Sequence, residues 1–267
     1  VDNDIATHGN NSSGIIAQSI GGSGGDGGFS TSVSLALSAK QAISLGASVG
    51  GNGGDANTAN TVSVNNSGSI ETTGNSSSAI LAQSINGSGG NGGFAANLSG
   101  AFAQELALSA SVSVGGKGGN AAGYNASTKK NSTAPVNNVS VRNIASIDAN
   151  TPVLDQVQSI ATAGSYSNGI LAQSIGGNGG NGGLSIAGSI AGSLDSTAAG
   201  VSVSVGGQGG NGRRAGNVGV VNKNYVIATE GVGSSAIVGQ SIGGEGGNGG
   251  LSVAASIAVN AKAGTGK

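Results

Sequence analysis

The chain has 267 residues, 55 of them glycine, and its charged side chains nearly balance at a net charge of −1. This balance provides no electrostatic field that would attract nucleic acid or an anionic membrane. The absence of cysteine excludes disulfides and thiolate metal sites, and an aromatic content of 2 % excludes a large aromatic core.

A phrase that begins G-I-I-A-Q-S-I and ends in paired glycines occurs four times. Self-similarity of this kind predicts stacked units, each covering the apolar face of the last. We divide the chain into copies of about 1–57, 58–125, 126–216 and 217–267, forming one repetitive segment that we expect to belong to a longer protein. The phrase stands at Gly14–Gly28, Ala79–Gly93, Gly169–Gly183 and Ala236–Gly250, with offsets of 65, 90 and 67 residues.

A second phrase, I-x-T-x-G-x-x-S-x-(G/A)-I, precedes the first in every copy, beginning at Ile5. A short alternating segment, Thr61–Asn66, stands before its second copy. Short β segments broken at Gly, Asn and Ser, without a helical period, predict an all-β fold. The stretch Thr61–Ile85 has the size of one coil of a parallel β-solenoid. We expect the threonines of the phrase at repeated turns, namely Thr7, Thr72, Thr162 and Thr229.

The strand period places Ile16, Gln18 and Ile20 on one face, which we expect to be buried. A buried amide without a partner costs about 1–3 kcal/mol. If consecutive copies stack about 4.8 Å apart, each glutamine bonds to the next as in an amide ladder; if each unit spans three coils, the glutamines lie about 14 Å apart. We predict a structural ladder of Gln18, Gln83, Gln173 and Gln240.

The glycine runs repeat G-G-x with a period of three, which favours a segment like polyproline II. Faces without side chains would let such segments approach closely, while the x residues point to solvent. Those x positions hold Ser23, Asp26, Ser88, Asn91, Asn178, Asn181, Glu245 and Asn248.

A second β region, Phe29–Val49, follows the first glycine run, and Lys40-Gln41 interrupts it. Large apolar residues alternate there with small polar ones, which predicts a half-buried strand; they are Val33, Leu35 and Leu37. A glycine run closes the region at Ser48–Asp55, so we predict a hairpin-like excursion, with further coils of the solenoid as the alternative. About 25 extra residues between Tyr124 and Ser159 indicate one additional coil or a displaced loop.

Motifs that carry chemistry are weak. Gly22–Gly27 satisfies G-x-G-x-x-G, but a β pattern follows it instead of a helix. The run containing Asp26 only partly matches a calcium-binding nonapeptide, and His8 occupies a position that other copies exchange freely. Carboxylates are scattered, whereas hydrolysis of glycans needs them clustered. We therefore expect no enzyme, no catalytic residue, no cofactor and no metal.

The two adjoining phrases resemble the repeats of bacterial autotransporter (type V secretion) passenger regions, over about Ile5 to Val259. The resemblance implies a right-handed parallel β-helix, here with glycine-rich, hairpin-like excursions. It also implies export through a C-terminal outer-membrane β-barrel and display at the cell surface, as an adhesin or a matrix component.

We therefore expect an extracellular structural or adhesive segment that forms a rigid, surface-displayed stalk or fibre. Its partners would be neighbouring copies or cells, or a host or matrix surface, with a possible homo-oligomer or filament. No nucleic acid and no membrane insertion by this segment are expected. Two alternatives remain: a self-assembling extracellular filament subunit, and a glycan-binding or glycan-active β-helix protein.

Overall fold

The computed structural model describes residues 4–122, 137–144, 158–223 and 225–261, and within these ranges the secondary structure is all β, with no helix. The strands are β1 (Ile5–Thr7), β2 (Ile15–Ile20), β3 (Ser30–Leu37), β4 (Gln41–Val49), β5 (Val62–Asn66), β6 (Ile70–Thr72), β7 (Ile80–Ile85), β8 (Ala95–Ala103), β9 (Leu106–Val114), β10 (Val139–Ile144), β11 (Gln158–Thr162), β12 (Ile170–Ile175), β13 (Ser185–Ser193), β14 (Thr197–Val205), β15 (Val218–Lys223), β16 (Tyr225–Thr229), β17 (Ile237–Ile242) and β18 (Ser252–Asn260).

These strands form five sheets, and every pairing is parallel. We name them after their residues or their course. The threonine sheet is β1-β6-β11-β16, the glutamine sheet β2-β7-β12-β17, the valine sheet β5-β10-β15, the outgoing sheet β3-β8-β13-β18 and the returning sheet β4-β9-β14. The chain visits the sheets in the same sequence in each repeat. One repeat therefore contributes one layer, about 4.8 Å thick.

Equivalent residues of neighbouring copies are direct strand partners. Ile5 pairs with Ile70 in the threonine sheet, and Gln18 pairs with Gln83 in the glutamine sheet. A layer thus spans the full repeat of about 65 residues, larger than the 25-residue coil expected from Thr61–Ile85, because the excursion belongs to the same layer.

The main apolar core lies between the threonine, glutamine and valine sheets, and its largest fully buried side chains are Ile70, Ile80, Ile160, Ile170, Val139 and Val141. The expectation that the face of Ile16, Gln18 and Ile20 is buried was wrong. In the second layer the opposite face, with Ile80 and Ser84, is fully buried, and Gln83 is only half-buried.

The serine face of the glutamine sheet is the buried one because its small residues make hydrogen bonds in the interior. The Ser84 hydroxyl donates to the carbonyl of Asn60 at 2.7 Å, and Ser174 donates to that of Asn137 at 2.6 Å. These bonds fasten the glutamine sheet to the segment that returns from the excursion. A serine thereby satisfies its polar atom in a narrow interior, and the longer glutamine takes the outer face.

The excursion leaves and returns within one layer, but it is not a hydrogen-bonded hairpin. Its two strands belong to different parallel sheets, the outgoing and the returning sheet, which pack face to face. Their inner faces consist of Ser, Ala, Gly and Asn: Ser34 Oγ lies 2.9 Å from Ser44 Oγ, and Ser99 Oγ lies 2.8 Å from Ser109 Oγ. Such small residues permit a thin two-sheet sandwich.

This packing corrects the prediction that Val33, Leu35 and Leu37 form the half-buried face. They are exposed, and the serines and alanines between them point inward. Period-two alternation identifies two faces but not the buried one. Here the close approach of the two sheets selects the small residues.

The glycine runs link the three-sheet core to the sandwich. Within the first layer the returning run donates to the outgoing run at every third residue, from Gly51 N to Gly28 O at 2.9 Å and from Gly54 N to Gly25 O at 2.7 Å. The same returning run accepts from the next layer, with Gly90 N to Gly54 O at 3.0 Å. The segments therefore form a lattice with the three-residue period expected of polyproline II-like chains.

The extra residues of the third copy fall around β10 (Val139–Ile144), which pairs with β5 (Val62–Asn66) on one side and β15 (Val218–Lys223) on the other. This strand therefore occupies the regular place in its layer. The remainder of the insertion, with Pro135, Pro152 and Lys129-Lys130, lies outside the described residues, as does any additional coil or displaced loop there.

Candidate functional site

The glutamines lie in register on the half-exposed outer face of the glutamine sheet and form one chain of hydrogen bonds. Gln18 Nε2 donates to Gln83 Oε1 at 2.6 Å, Gln83 donates to Gln173, and Gln173 donates to Gln240. The ladder therefore runs through all four layers. Because Gln83 and Gln173 each use one donor and one acceptor for their neighbours, the ladder fixes register more than it offers a binding site.

The turn phrase acts as a connector between layers. Thr72 Oγ1 donates to Ser77 O at 2.6 Å and Thr162 Oγ1 donates to Ser167 O at 2.7 Å, so each closes its own turn. The structure places Thr7 in the same role, donating to Ser12 O, and Thr229 at the end of β16 (Tyr225–Thr229).

Serine joins one turn to the next. Ser77 Oγ accepts from the backbone N–H of Ser12 at 2.9 Å and lies 3.0 Å from the carbonyl of Gly9. The glycine of the phrase is required by the same contact between layers, because a Cβ on Gly74 would lie 2.0 Å from Gly9 O. One position of each turn has a positive φ, as at Asn11 with 57°, where asparagine is tolerated.

Replacement of Ser77 by alanine is expected to lower the free energy of unfolding by about 1–3 kcal/mol, because it removes a fully buried hydroxyl and with it the partner of the half-buried Ser12 N–H. Denaturant unfolding measures the change. Ser12→Ala is the matched control, since the Ser12 hydroxyl makes only an exposed bond to Asn10 O in its own turn. Equal losses in the two variants would contradict the role of serine between layers.

The x residues of the outgoing glycine runs are exposed, as predicted, except Ser88, which is half-buried. They also make hydrogen bonds that the sequence analysis missed. Asp26 Oδ1 accepts from Asn91 N at 2.6 Å, and Asn91 Oδ1 accepts from Asn181 N at 3.0 Å. Asn181 in turn accepts from Asn248 N at 2.9 Å. The x side chain of one layer thus accepts from the backbone N–H of the x residue in the next layer. At Asn91 and Asn181 this is the one N–H of the G-G-x triplet that has no partner among the backbone carbonyls. The enrichment of Asn and Asp at x was the available signal.

The surfaces of the sandwich are its most unusual feature. The outer face of the outgoing sheet, here the outgoing face, carries large aliphatic side chains, and so does the returning face on the opposite side. Even in the second layer, Leu98 is 48 % exposed and Val112 is 42 % exposed. The outgoing face comprises Thr31, Val33, Leu35, Leu37, Ala96, Leu98, Gly100, Phe102, Ile186, Gly188, Ile190, Gly192, Val253, Ala255, Ile257 and Val259.

The returning face has the same character. It comprises Gln41, Ile43, Leu45, Ala47, Val49, Leu106, Leu108, Ala110, Val112, Val114, Thr197, Ala199, Val201, Val203 and Val205. Neither face contains a charged residue. Exposed apolar surfaces of this kind mark interaction sites in folded proteins. The two faces are therefore the candidate functional site.

The glycines of the outgoing face do not leave gaps in its surface, because neighbouring side chains cover them. The Cδ1 atom of Leu98 lies 3.1 Å from the position that a Cβ of Gly188 would take, and Phe102 covers Gly192 in the same way. At the far end of this face a shallow groove of about 830 Å³ is lined by Leu37, Phe102, Leu194, Val259 and their neighbours. The outgoing face is thus flat over most of its strands and open at its tip.

Comparison of the chain with protein-family models, curated proteins and solved structures finds no match. Among the described residues, His, Asp and Glu do not form a group of three or more that could hold a metal ion. The same part of the chain includes no helix long and apolar enough to span a membrane.

Proposed function

We propose that this chain is a right-handed parallel β-helix from the exported region of an autotransporter-like protein, and that it serves at the bacterial cell surface as a structural or adhesive element. The observation that carries the proposal is the stacking of one repeat per layer through five parallel sheets. Repetition of this kind builds extended, stiff structures whose length grows with the number of copies.

The sequence phrases on which the resemblance depends support the proposal, because each position has a role in the stack. The isoleucines fill the core, threonine closes the turn, glycine permits close approach, and serine bonds to the neighbouring layer. A sequence selected for such contacts is selected for stacking rather than for a pocket.

The excursions suit an adhesive role. A glycine run of about eight residues extends about 25 Å at 3.1 Å per residue, and a nine-residue strand adds about 30 Å. Each layer therefore projects a thin plate about 55 Å from the three-sheet core, with an aliphatic surface on both sides. Such a plate offers a large contact area to a neighbouring cell or matrix.

Surface labelling tests the proposed display. An epitope tag inserted after Asp195, in the exposed turn between β13 (Ser185–Ser193) and β14 (Thr197–Val205), is expected to react with antibody on intact cells that produce the full-length protein. Added protease is expected to remove that signal. A tag detected only after the cells are permeabilised would overturn the proposal.

Attachment assays test the adhesive part separately. Cells that lack this segment are expected to attach less to one another or to a solid support than cells with the intact gene. If attachment is unchanged while surface labelling is positive, the adhesive role fails and the structural role stands.

A further inference from the structure

The outgoing face is at the upper end of the apolar patches that a monomer normally exposes. Four strands at about 4.8 Å and nine residues at about 3.3 Å give roughly 19 by 30 Å, or about 570 Å² for the outgoing face before side-chain relief is counted. The largest apolar patch on a typical monomer is about 300–600 Å² and is often functional. The returning face has three strands and adds roughly 430 Å² on the opposite side of the sandwich.

The sandwich cannot cover these side chains itself. Its interior is occupied by Ala42, Ala101 and Ala107 and by paired serines, in contact across the two sheets. Turning the large residues inward would force the sheets apart and break the serine pairs. The aliphatic faces must therefore be covered from outside or remain in water.

The chemistry of the faces favours a second flat sheet as the occupant. Neither face has a lysine or arginine that would attract the anionic headgroups of a membrane. Both are uncharged parallel sheets of Val, Leu and Ile, and sheets with such faces pack aligned at about 10 Å. The structure that is certain to present this surface at the same strand spacing is another copy of the chain.

We propose that copies of this chain associate side by side, with outgoing face against outgoing face and returning face against returning face. One shared outgoing face removes about 570 Å² from each partner, or about 1,100 Å² in total, which clears the approximately 1,000 Å² expected of a specific interface. Because each copy has two faces on opposite sides, association continues beyond a dimer. It runs across the stacking axis, so it differs from the end-to-end filament expected from sequence, and it holds or fails independently of the export route.

Lysine on each face, singly and together, tests the proposal in the whole chain. Leu98→Lys marks the outgoing face and Val112→Lys the returning face. Val232→Lys is the matched control, because Val232 is 75 % exposed in a turn away from the sandwich. Sedimentation velocity over a concentration series gives the size distribution, and far-UV circular dichroism verifies the fold.

We expect the unmodified chain and Val232→Lys to form species larger than dimers as concentration rises. Each single face variant is expected to stop at dimers, with the dissociation constant of the altered contact raised at least tenfold, and the double variant to be monomeric. If a lysine variant does not fold, Val33→Thr and Val203→Thr, which keep the side-chain shape, replace it.

Three results would overturn the proposal. The unmodified chain could remain a monomer at all concentrations. The double face variant could form the same large species, which would indicate end-to-end contacts. The chain could also bind as a monomer to vesicles of neutral phosphatidylcholine in a flotation assay, which would show that a membrane covers the aliphatic faces.

Discussion

Alanine in place of Gly90 is expected to lower the free energy of unfolding by more than about 4 kcal/mol, or to prevent folding. The added Cβ would lie 2.0 Å from the carbonyl oxygen of Gly25 and 2.5 Å from its carbon. That oxygen already accepts from Gly54 N at 2.7 Å. Relief of the clash must therefore break the hydrogen bond between the runs, and backbone on each side prevents a local adjustment.

Gly25→Ala is the matched control for this variant. Gly25 holds the same place in the glycine run of the first layer, and a Cβ there would meet no atom within 4 Å. Its stability is expected to stay within about 0.5 kcal/mol of the unmodified chain. Denaturant unfolding of both variants measures the difference, and similar stabilities would show that the runs do not pack as the structure describes.

Leucine at Ala101 is expected to cost about 3 kcal/mol or more, since overpacking a close-packed core typically costs about 1–3 kcal/mol and the sheets here are held at the distance that alanines allow. Ala101 is fully buried against the alanines of the returning sheet. Three additional carbons must separate the two sheets and pull Ser99 Oγ away from Ser109 Oγ.

The same change at Ala96 is the control, because Ala96 lies on the opposite, outer face of the same strand, β8 (Ala95–Ala103). Ala96→Leu is expected to alter the free energy of unfolding by no more than about 0.5 kcal/mol. Thermal or denaturant unfolding gives the comparison. A larger loss at Ala96 than at Ala101 would mean that the aliphatic face is the interior.

Much of the architecture can be predicted from the sequence because it depends on repetition. Aligned copies predict that Gln18 and Gln83 occupy equivalent places, and a ladder follows if copies stack directly. The short alternating segment Thr61–Asn66 likewise predicts β5 (Val62–Asn66) within one residue. The three-residue glycine period similarly indicates chains that approach without side chains between them.

The buried face of each strand could not be predicted in the same way. Alternation gives two faces, and the usual preference assigns the larger apolar residues to the interior. In β3 (Ser30–Leu37) that choice selects Val33 and Leu35, yet Ser34 is the residue that meets the opposing sheet, at Ser44. The buried face is decided by the spacing between the outgoing and the returning sheet. That spacing is a property of the packed sandwich, so the sequence pattern of a single strand does not reveal it.

The candidate site was missed for the same reason. If Val33, Leu35 and Leu37 form the buried side of a half-buried strand, as the alternation predicts, no large apolar surface remains to consider. Serine at every second position of β9 (Leu106–Val114) fits a polar outer face equally well, although Ser109, Ser111 and Ser113 are the buried residues.

The central claim is that each repeat adds one layer directly on the last, and engineered disulfides test it most directly because the chain has no cysteine of its own. Cα atoms of adjacent parallel partners lie about 4.8 Å apart, within the 4.4–6.8 Å range that a disulfide spans. Partners two layers apart lie at about 9.6 Å, beyond that range.

The double variant Gln83→Cys/Gln173→Cys, whose positions are direct partners, is therefore expected to form an intramolecular disulfide in the native state, seen as a mobility shift on a non-reducing gel. Gln18→Cys/Gln173→Cys is expected to remain reduced under the same oxidant. A reduced Gln83→Cys/Gln173→Cys variant, or equal bond formation in both, would contradict the layered structure.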